Sequence, residues 1–329
     1  MDKQVNHQIE FFNYLKKRRS SEDILFALQS LLNVRKGAAY KRMNGDTLLS
    51  VNEMVTIANH FHISLDTAIG SKQFMSVEHP FTSHSSRIDF LDRYAFYLKP
   101  LMNSEIDSSL TYLANELPVF YYFSHNHIFS FLLSVWDHLH WKEDRLSIKK
   151  NERITPQLEE LRTQVANYYD SHPVTEIWNS NMLSNLYQQI LFCITIRAFD
   201  DPRFVTALIE DIQQLLNNME KMTHTQTDDG KTQRNIYLNE FGNFQNLALY
   251  RSPKVNVTFI GYDMPHFVVS YNERFHNFSS EWIDKIKKRS ILISSEGYQF
   301  RELFFIKMKN EFQDFQDRIH KLMAVYYDI

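Results

Sequence analysis

The feature that most constrains the fold is a succession of short helical patterns in the first seventy residues. Apolar residues recur there every three or four positions, which is the spacing of one face of an α-helix. They are Ile9, Phe12 and Leu15, then Ile24, Leu25, Leu28, Leu31 and Leu32, and later Met54, Ile57, Ala58 and Phe61. Ser20 or Ser21 suits the N-cap of one helix, and Ser50 with Glu53 forms a capping box before another. We expect residues 1–70 to form a bundle of four to five helices.

A short segment between these patterns, Arg35–Gly45, has two different faces. At helical spacing, Ala38, Ala39 and Met43 fall on one side. The opposite side carries Lys36, Gly37, Tyr40, Lys41 and Asn44. Small inner residues let a helix pack closely, and the outer residues supply the positive charge and hydrogen-bond donors that suit a major-groove reader. Gly45 fits the left-handed conformation that ends many helices.

This region resembles the Cro/cI-type (XRE-like) helix-turn-helix family of transcription regulators. The resemblance is carried by residues 28–45 (LQSLLNVRKGAAYKRMNG) and by residues 57–66 (IANHFHISLD), which are similar to the closing pattern of the family. It covers about a fifth of the chain and implies a DNA-binding domain over residues 1–70. The family pattern places Lys36, Gly37 and Lys41 toward base edges. It places Arg35, Tyr40 and Asn44 beside them, toward phosphates.

Three positions depart from the family pattern. Gln29 stands where Ala is usual, and Asn33 stands where the tight turn usually has Gly, although Asn tolerates a left-handed turn. Arg42 replaces an apolar or aromatic residue, so it either extends toward the DNA backbone or pairs with an acid. Two plainer interpretations stay open. In the first, the helical bundle does not bind DNA, and its basic face is simply exposed to solvent. In the second, the basic run Lys16–Arg19 is an ordinary charged helix end rather than a phosphate contact.

The remainder of the chain is predicted to be mostly helical. Residues 71–86 lose helical spacing and gain Ser and His, which predicts a linker. Only 7 Gly and 8 Pro occur in 329 residues, which favours long helices over turn-rich β-structure. Helical spacing returns at residues 88–98, 106–113, 129–136, 157–170, 181–199, 203–222 and 298–323. Three short β-branched and aromatic segments within residues 245–272 predict a small antiparallel β-meander. The predicted fold is mainly α, with residues 87–329 as a helical effector or dimerisation domain.

This C-terminal region is also similar to that of a group of bacterial helix-turn-helix proteins with a large helical C-terminal domain. The similar stretches are residues 117–120 with Trp136, residues 176–178, 237–240 and 290–294, and Arg301 with residues 304–305. The resemblance implies regulator architecture and no ligand or reaction. Residues 298–323 form either a dimer element or a helix that closes its own core.

The sequence shows no catalytic, cofactor or metal motif. It contains no Gly-rich phosphate loop and no nucleophile elbow. The His125–His127 and His138–His140 pairs diverge on a helix, and no cysteine or carboxylate cluster completes a four-ligand site. The single cysteine, Cys193, lies in an apolar run and fits a reducing compartment. We therefore expect no enzyme activity, no cofactor and no metal.

These patterns together predict a cytoplasmic, sequence-specific transcription regulator that binds double-stranded DNA. The net charge of −3 gives no global attraction to nucleic acid, so the affinity must come from the local cluster. A homodimer is expected because one short helix reads only a few base pairs, and a small-molecule or protein effector is left open. Polar residues interrupt the most apolar stretch, residues 117–136, so no membrane partner is expected. The alternatives are a protein–protein interaction protein with a vestigial helix-turn-helix and, more remotely, an enzyme with an undetected C-terminal active site.

Overall fold

The computed structural model describes residues 6–61, 63–69, 77–79, 94–98, 107–140, 145–148, 155–224, 234–242, 244–263, 266–295 and 297–327. Within this part of the chain, the N-terminal bundle contains α1 (His7–Lys16), α2 (Ser21–Leu31), α3 (Lys36–Met43), α4 (Val51–His60) and the single turn α5 (Leu65–Ala68). These helices coincide with the helical patterns of the sequence. Their inner side chains form one core, which includes Phe11, Phe12, Ile24, Leu28, Ala39, Met43 and Ile57.

The ends of these helices are fixed by side chains close in sequence. The Ser20 hydroxyl accepts a hydrogen bond from the Asp23 backbone N–H at 3.1 Å and starts α2. Ser50 and Glu53 form a capping box at the start of α4, as the sequence predicts. These three bonds satisfy backbone donors that a helix N-terminus leaves without partners.

Among the described residues, the C-terminal region is built on a seven-stranded mixed sheet. Its strands are β1 (Ser109–Leu113), β2 (Val174–Trp178), β3 (Arg234–Leu238), β4 (Leu247–Arg251), β5 (Asn256–Asp263), β6 (His266–Ser270) and β7 (Ile291–Leu292). The order across the sheet is β6-β5-β4-β1-β2-β3-β7. Strands β1, β2 and β3 run parallel, whereas β4, β5, β6 and β7 pair antiparallel with their neighbours. The prediction of a mainly α protein with a small antiparallel meander is therefore wrong, because the fold is mixed α/β.

Helices cover both faces of this sheet. One face packs against α6 (Val119–Phe123), α7 (Asn126–His140), α8 (Pro156–Ser171), α9 (Ser184–Thr195), α10 (Arg203–His224) and α12 (Tyr298–Tyr326). The other face packs against α11 (Glu273–Lys287) through Ile283 and Ile286. Helices α6–α8 connect β1 to β2, and α9–α10 connect β2 to β3, which is the arrangement that parallel strands require.

The physical reason for the error lies in the buried central strands. Residues 106–113 were predicted to be helical from the spacing of Ile106, Leu110 and Leu113, but β1 begins at Ser109. Leu110 packs on one face of the sheet and Leu113 on the other, and both are buried. The strand has only five residues, and a spacing of three between two leucines fits a helix as well, so such a short pattern does not distinguish the two structures. The three predicted meander strands do exist as β4, β5 and β6, but they form one side of the larger sheet.

The last helix and three further helical patterns of the sequence are present in the structure. Helix α12 buries Phe304, Phe312, Phe315 and Ile319 in the main core, so this face closes its own domain. The patterns at 157–170 and 203–222 correspond to α8 and α10, and the pattern at 181–199 to the shorter α9. Among the described helices, none combines the length and apolar character that crossing a bilayer requires.

Candidate nucleic-acid interface

The candidate interface is the exposed side of α3. Ala39 is 0% exposed and Met43 is 5% exposed, so these residues anchor the helix in the bundle core. The six predicted site residues all lie on the exposed side of the helix or at its ends, and they are Arg35, Lys36, Gly37, Tyr40, Lys41 and Asn44. The Tyr40 side chain is 54% exposed. The segment is thus helical and turns its basic, hydrogen-bonding face outward, which are the two geometric conditions that groove recognition requires.

The turn between α2 and α3 is tight. Asn33 has a φ of 49°, so it takes the left-handed conformation that most residues avoid. The Val34 N–H donates to the Gln29 carbonyl at 3.1 Å and closes the turn. The Gln29 side-chain amide donates back to the Leu25 carbonyl of its own helix at 3.2 Å. Gln29 therefore lies along α2, and its extra bulk does not prevent Ala39 from packing in the core.

The N-termini of the two helices of this motif differ in their capping and in the charge of nearby side chains. Helix α2 is capped by Ser20 and carries Glu22 and Asp23 in its first turn. Helix α3 has Arg35 at its N-cap position, with no side-chain cap and no acidic residue in the first turn. Lys36 and Gly37 in its first turn are exposed, and an uncapped helix N-terminus of this kind attracts anions such as phosphate.

A buried glutamine holds the other end of α3, and the sequence analysis missed it. The Gln8 amide donates to the Arg42 carbonyl at 2.7 Å and to the Thr47 carbonyl at 2.9 Å. Its Oε1 accepts from the Leu49 N–H at 2.8 Å, which joins α1 to the loop after α3. The signal was present, because Gln8 precedes Phe11 and Phe12 at helical spacing and so lies on the buried stripe of α1.

Arg42 pairs with an acid and does not extend outward, which is the second of the two alternatives that the sequence leaves open. Its guanidinium pairs with the Glu53 carboxylate at 3.1 Å, so it ties α3 to α4. The Ser50 backbone N–H donates to Glu53 and, together with the nearby Arg42, lowers the pKa of this carboxyl. Gly45 ends the helix with a φ of 82°, as expected from its position. A Cβ at Gly45 would lie 3.1 Å from Ile9 Cγ1, so the position favours glycine by space as well as by conformation.

The basic run after α1 contacts the C-terminal region. The Arg18 guanidinium lies 3.3 Å from the centre of the Tyr271 ring and pairs with Glu78 at 3.0 Å. Lys17 pairs with Glu273 at 3.1 Å, and Arg19 lies over the Phe96 ring. Three of the four basic residues thus contact the C-terminal region, which favours the plainer interpretation of this run over a phosphate contact.

Only part of the predicted linker can be compared with the structure. Residues 77–79 belong to the described part of the chain, and the remainder of 71–86 lies outside it. Glu78 forms an antiparallel bridge to Val269 of β6, with its N–H donating to the Val269 carbonyl at 2.6 Å. This short piece extends the edge of the sheet.

The structure also shows the surroundings of Cys193 and of two of the histidines considered as metal ligands. Cys193 is buried, and burial raises the pKa of its thiol to about 12, as expected for an inert core residue. His125 contacts the Tyr121 carbonyl through Nδ1 at 2.8 Å, and His127 lies 3.1 Å from Asp211. Within the described residues, no group of three or more His, Cys, Asp or Glu side chains is arranged to hold a metal ion.

Comparisons of this chain with protein-family models, with curated proteins and with solved structures give no match.

Proposed function

We propose that this protein is a cytoplasmic, sequence-specific DNA-binding transcription regulator. The observation that carries the proposal is the outward face of α3, where Lys36, Tyr40 and Lys41 are exposed while Ala39 and Met43 hold the helix in the core. A short helix with this division between its faces can enter the major groove without disturbing its own bundle.

The distribution of charge supports attraction of DNA to α3 rather than to the protein as a whole. Helix α3 and its N-cap carry Arg35, Lys36 and Lys41 on the exposed side, with Arg42 paired to Glu53 behind them. The uncapped N-terminus adds a partial positive charge at the same place. This concentration accounts for DNA affinity in a chain whose net charge is −3.

We further propose that the protein acts as a homodimer. A single helix of eight residues contacts only a few base pairs, so specific recognition needs a second copy on a neighbouring half-site. The exposed side of α12, which carries Phe300, Leu303 and Ile306, offers an apolar surface for such a contact. The proposed activity contains no catalytic step and no cofactor.

The proposal is tested by selecting bound duplexes from a random-sequence DNA pool and measuring affinity for the enriched duplex by fluorescence anisotropy. We expect Lys36→Glu and Lys41→Glu each to weaken binding sharply, because each places a negative charge against the phosphate backbone. Lys285→Glu is the matched control, since it makes the same charge change at an exposed position of α11.

Circular dichroism must show that the variants keep their helices. Unchanged affinity in both α3 variants would defeat the assignment of the interface. A loss of equal size in Lys285→Glu would show that overall charge, and not α3, governs binding.

A protein–protein interaction role is the second candidate, and one specific observation favours it. Phe26, Leu48 and Val51 of the N-terminal bundle are 75%, 74% and 77% exposed, so the bundle offers large apolar side chains to a protein partner. If the selection enriches no duplex and Phe26→Ser removes binding to a protein partner, the bundle serves protein recognition instead.

A further inference from the structure

A cavity of about 250 Å³ lies at the carboxyl end of β1, away from α3. Its floor is the face of the sheet formed by Tyr112, Ala248, Phe259 and Phe267. Helix α6, the first turns of α9 and the helical residues 94–98 line its other sides. The carboxyl end of a parallel strand is where ligands commonly bind in sheets of this kind. We refer to this space as the β1-end cavity.

The register of the sheet leaves an open slot in the floor of the β1-end cavity. Tyr112 of β1 pairs with Ala248 of β4, and Ala248 pairs with Phe259 of β5. A methyl group therefore stands between two rings on strands that are about 9–10 Å apart. One planar ring in van der Waals contact on both sides needs about 7–8 Å. The slot is thus wide enough for one aromatic ring above Ala248.

Side-chain amides surround the mouth of the cavity. They are Asn115, Asn185, Gln189, Gln245 and Asn246. Asn246 Oδ1 accepts hydrogen bonds from the N–H groups of Asn115 at 2.9 Å and Glu116 at 3.0 Å. These two bonds set the orientation of the amide and leave Nδ2 as a donor. The rim therefore offers both donors and acceptors in the plane at which a ligand edge would lie.

The charge of the lining excludes some ligand classes. Among the described residues that line the cavity, none is a lysine or an arginine, while Glu116 contributes a carboxylate and His266 an imidazole. The Asn185 amide donates to Glu116, which keeps this carboxylate at the rim. An anionic ligand would meet this carboxylate with no lysine or arginine among the described lining residues to offset the repulsion. A space of about 250 Å³ lies just below the range of drug-sized ligand pockets, about 300–1,000 Å³, so it suits a molecule of one or two rings.

We infer that the β1-end cavity binds a small, uncharged, planar heteroaromatic molecule that carries amide-type donors and acceptors. The ring lies in the slot above Ala248 between Tyr112 and Phe259, and its polar edge contacts the amide rim. Binding itself is independent of the proposed function. The further interpretation of this molecule as the effector of the regulator rests on that function.

The experiment is isothermal titration calorimetry of the full chain with nicotinamide, adenine and nicotinate at millimolar concentration. We expect heat of binding for nicotinamide or adenine. Nicotinate has the same ring as nicotinamide but carries a carboxylate, and we expect it to bind at least about tenfold more weakly because Glu116 repels it. Ala248→Leu fills the slot and is expected to abolish binding, whereas Ala248→Ser keeps it open and is expected to preserve binding.

A second variant keeps the test decisive if Ala248→Leu fails to fold. Gln189→Trp lies on the exposed rim of α9, where it narrows the mouth without entering the core, and it is expected to reduce binding. The inference is overturned if neither nicotinamide nor adenine binds. It is also overturned if nicotinate binds as tightly as nicotinamide, or if the folded Leu and Trp variants bind like the wild type. None of these readouts involves DNA, so failure here is distinct from failure of the α3 interface.

Discussion

The N-terminal bundle and the C-terminal sheet differ in how far apart in sequence their partners lie. Every helix of the bundle packs against others within residues 7–68, and its caps join residues three positions apart. In the sheet, by contrast, Leu110 pairs with Tyr250 and Leu238 pairs with Ile291. The bundle can therefore be assembled from local patterns, whereas the sheet depends on contacts that only the complete fold brings together.

The two regions can also be observed separately in solution. All four tryptophans, at positions 136, 141, 178 and 282, lie in the C-terminal region. Tryptophan fluorescence consequently reports the unfolding of the sheet region, while far-UV circular dichroism also detects the helices of the bundle. The predictions below use this difference, and they begin with the largest expected effect.

Trp178→Ala is expected to destabilise the sheet region most. Trp178 is 1% exposed at the end of β2, and its indole N–H donates to Glu176 at 2.8 Å. Removing a buried tryptophan side chain costs about 3–5 kcal/mol. The measurement is urea unfolding followed by the fluorescence of the remaining tryptophans. An equal loss of hydrogen-exchange protection in α1–α5 would contradict the separation of the two regions.

Gln8→Met is expected to have a smaller effect that is confined to the bundle. The substitution keeps the length of the side chain but leaves the Leu49 N–H and the Arg42 and Thr47 carbonyls without this partner. A buried polar group that loses its partner costs about 1–3 kcal/mol. Hydrogen exchange should increase in α1 and α3 while the fluorescence midpoint in urea stays unchanged. Gln214→Met, on the exposed side of α10, is the control and should change neither signal.

The smallest expected effect is an opposite pH dependence of the two regions. Burial raises the pKa of Glu176, so its contribution is most favourable at low pH and is lost as pH rises above the ordinary value of about 4.3 toward the raised value. The Ser50 N–H lowers the pKa of Glu53, so its contribution is present above about 4.3 and is lost as pH falls through the lowered value.

Urea midpoints between pH 3 and pH 8 check this difference. Glu176→Gln should flatten the fluorescence profile on the alkaline side of pH 4.3, roughly the free glutamate pKa, because Gln cannot titrate. Glu53→Gln should remove the acid sensitivity that this carboxyl gives the bundle, followed by far-UV circular dichroism, because Gln cannot titrate. Parallel profiles for the wild type and Glu176→Gln would show that this carboxyl does not control the stability of the sheet.

The features that the sequence predicts are those with a local physical cause. Asn33 and Gly45 take positive φ because a turn and a helix end require it, and both positions are recognisable from residue type. Ser50 with Glu53 is a spacing motif, and the division of α3 into two faces follows from its periodicity. All these signals act within a few residues, so reading the sequence along one stretch is sufficient to find them.

The sheet was missed because its signals are not local. Glu176 occupies the middle of β2, where a charged residue argues against a buried strand. The structure explains its presence, because Tyr121, Tyr169 and Trp178 all donate hydrogen bonds to this carboxylate. Tyr121 and Tyr169 come from α6 and α8, and the residues next to Glu176 in β2 do not predict these contacts. The β1-end cavity likewise depends on Ala248 standing between two rings from other strands.

The central claim is that the exposed face of α3 lies against DNA. The most direct measurement replaces Tyr40 with the photoreactive residue benzoylphenylalanine, irradiates the complex with the selected duplex and quantifies covalent protein–DNA adducts. Phe192, 62% exposed on α9, is replaced in the same way as a control. Adducts from position 40 and none from position 192 are the predicted result. A duplex that still binds but gives no adduct at position 40 would contradict the account.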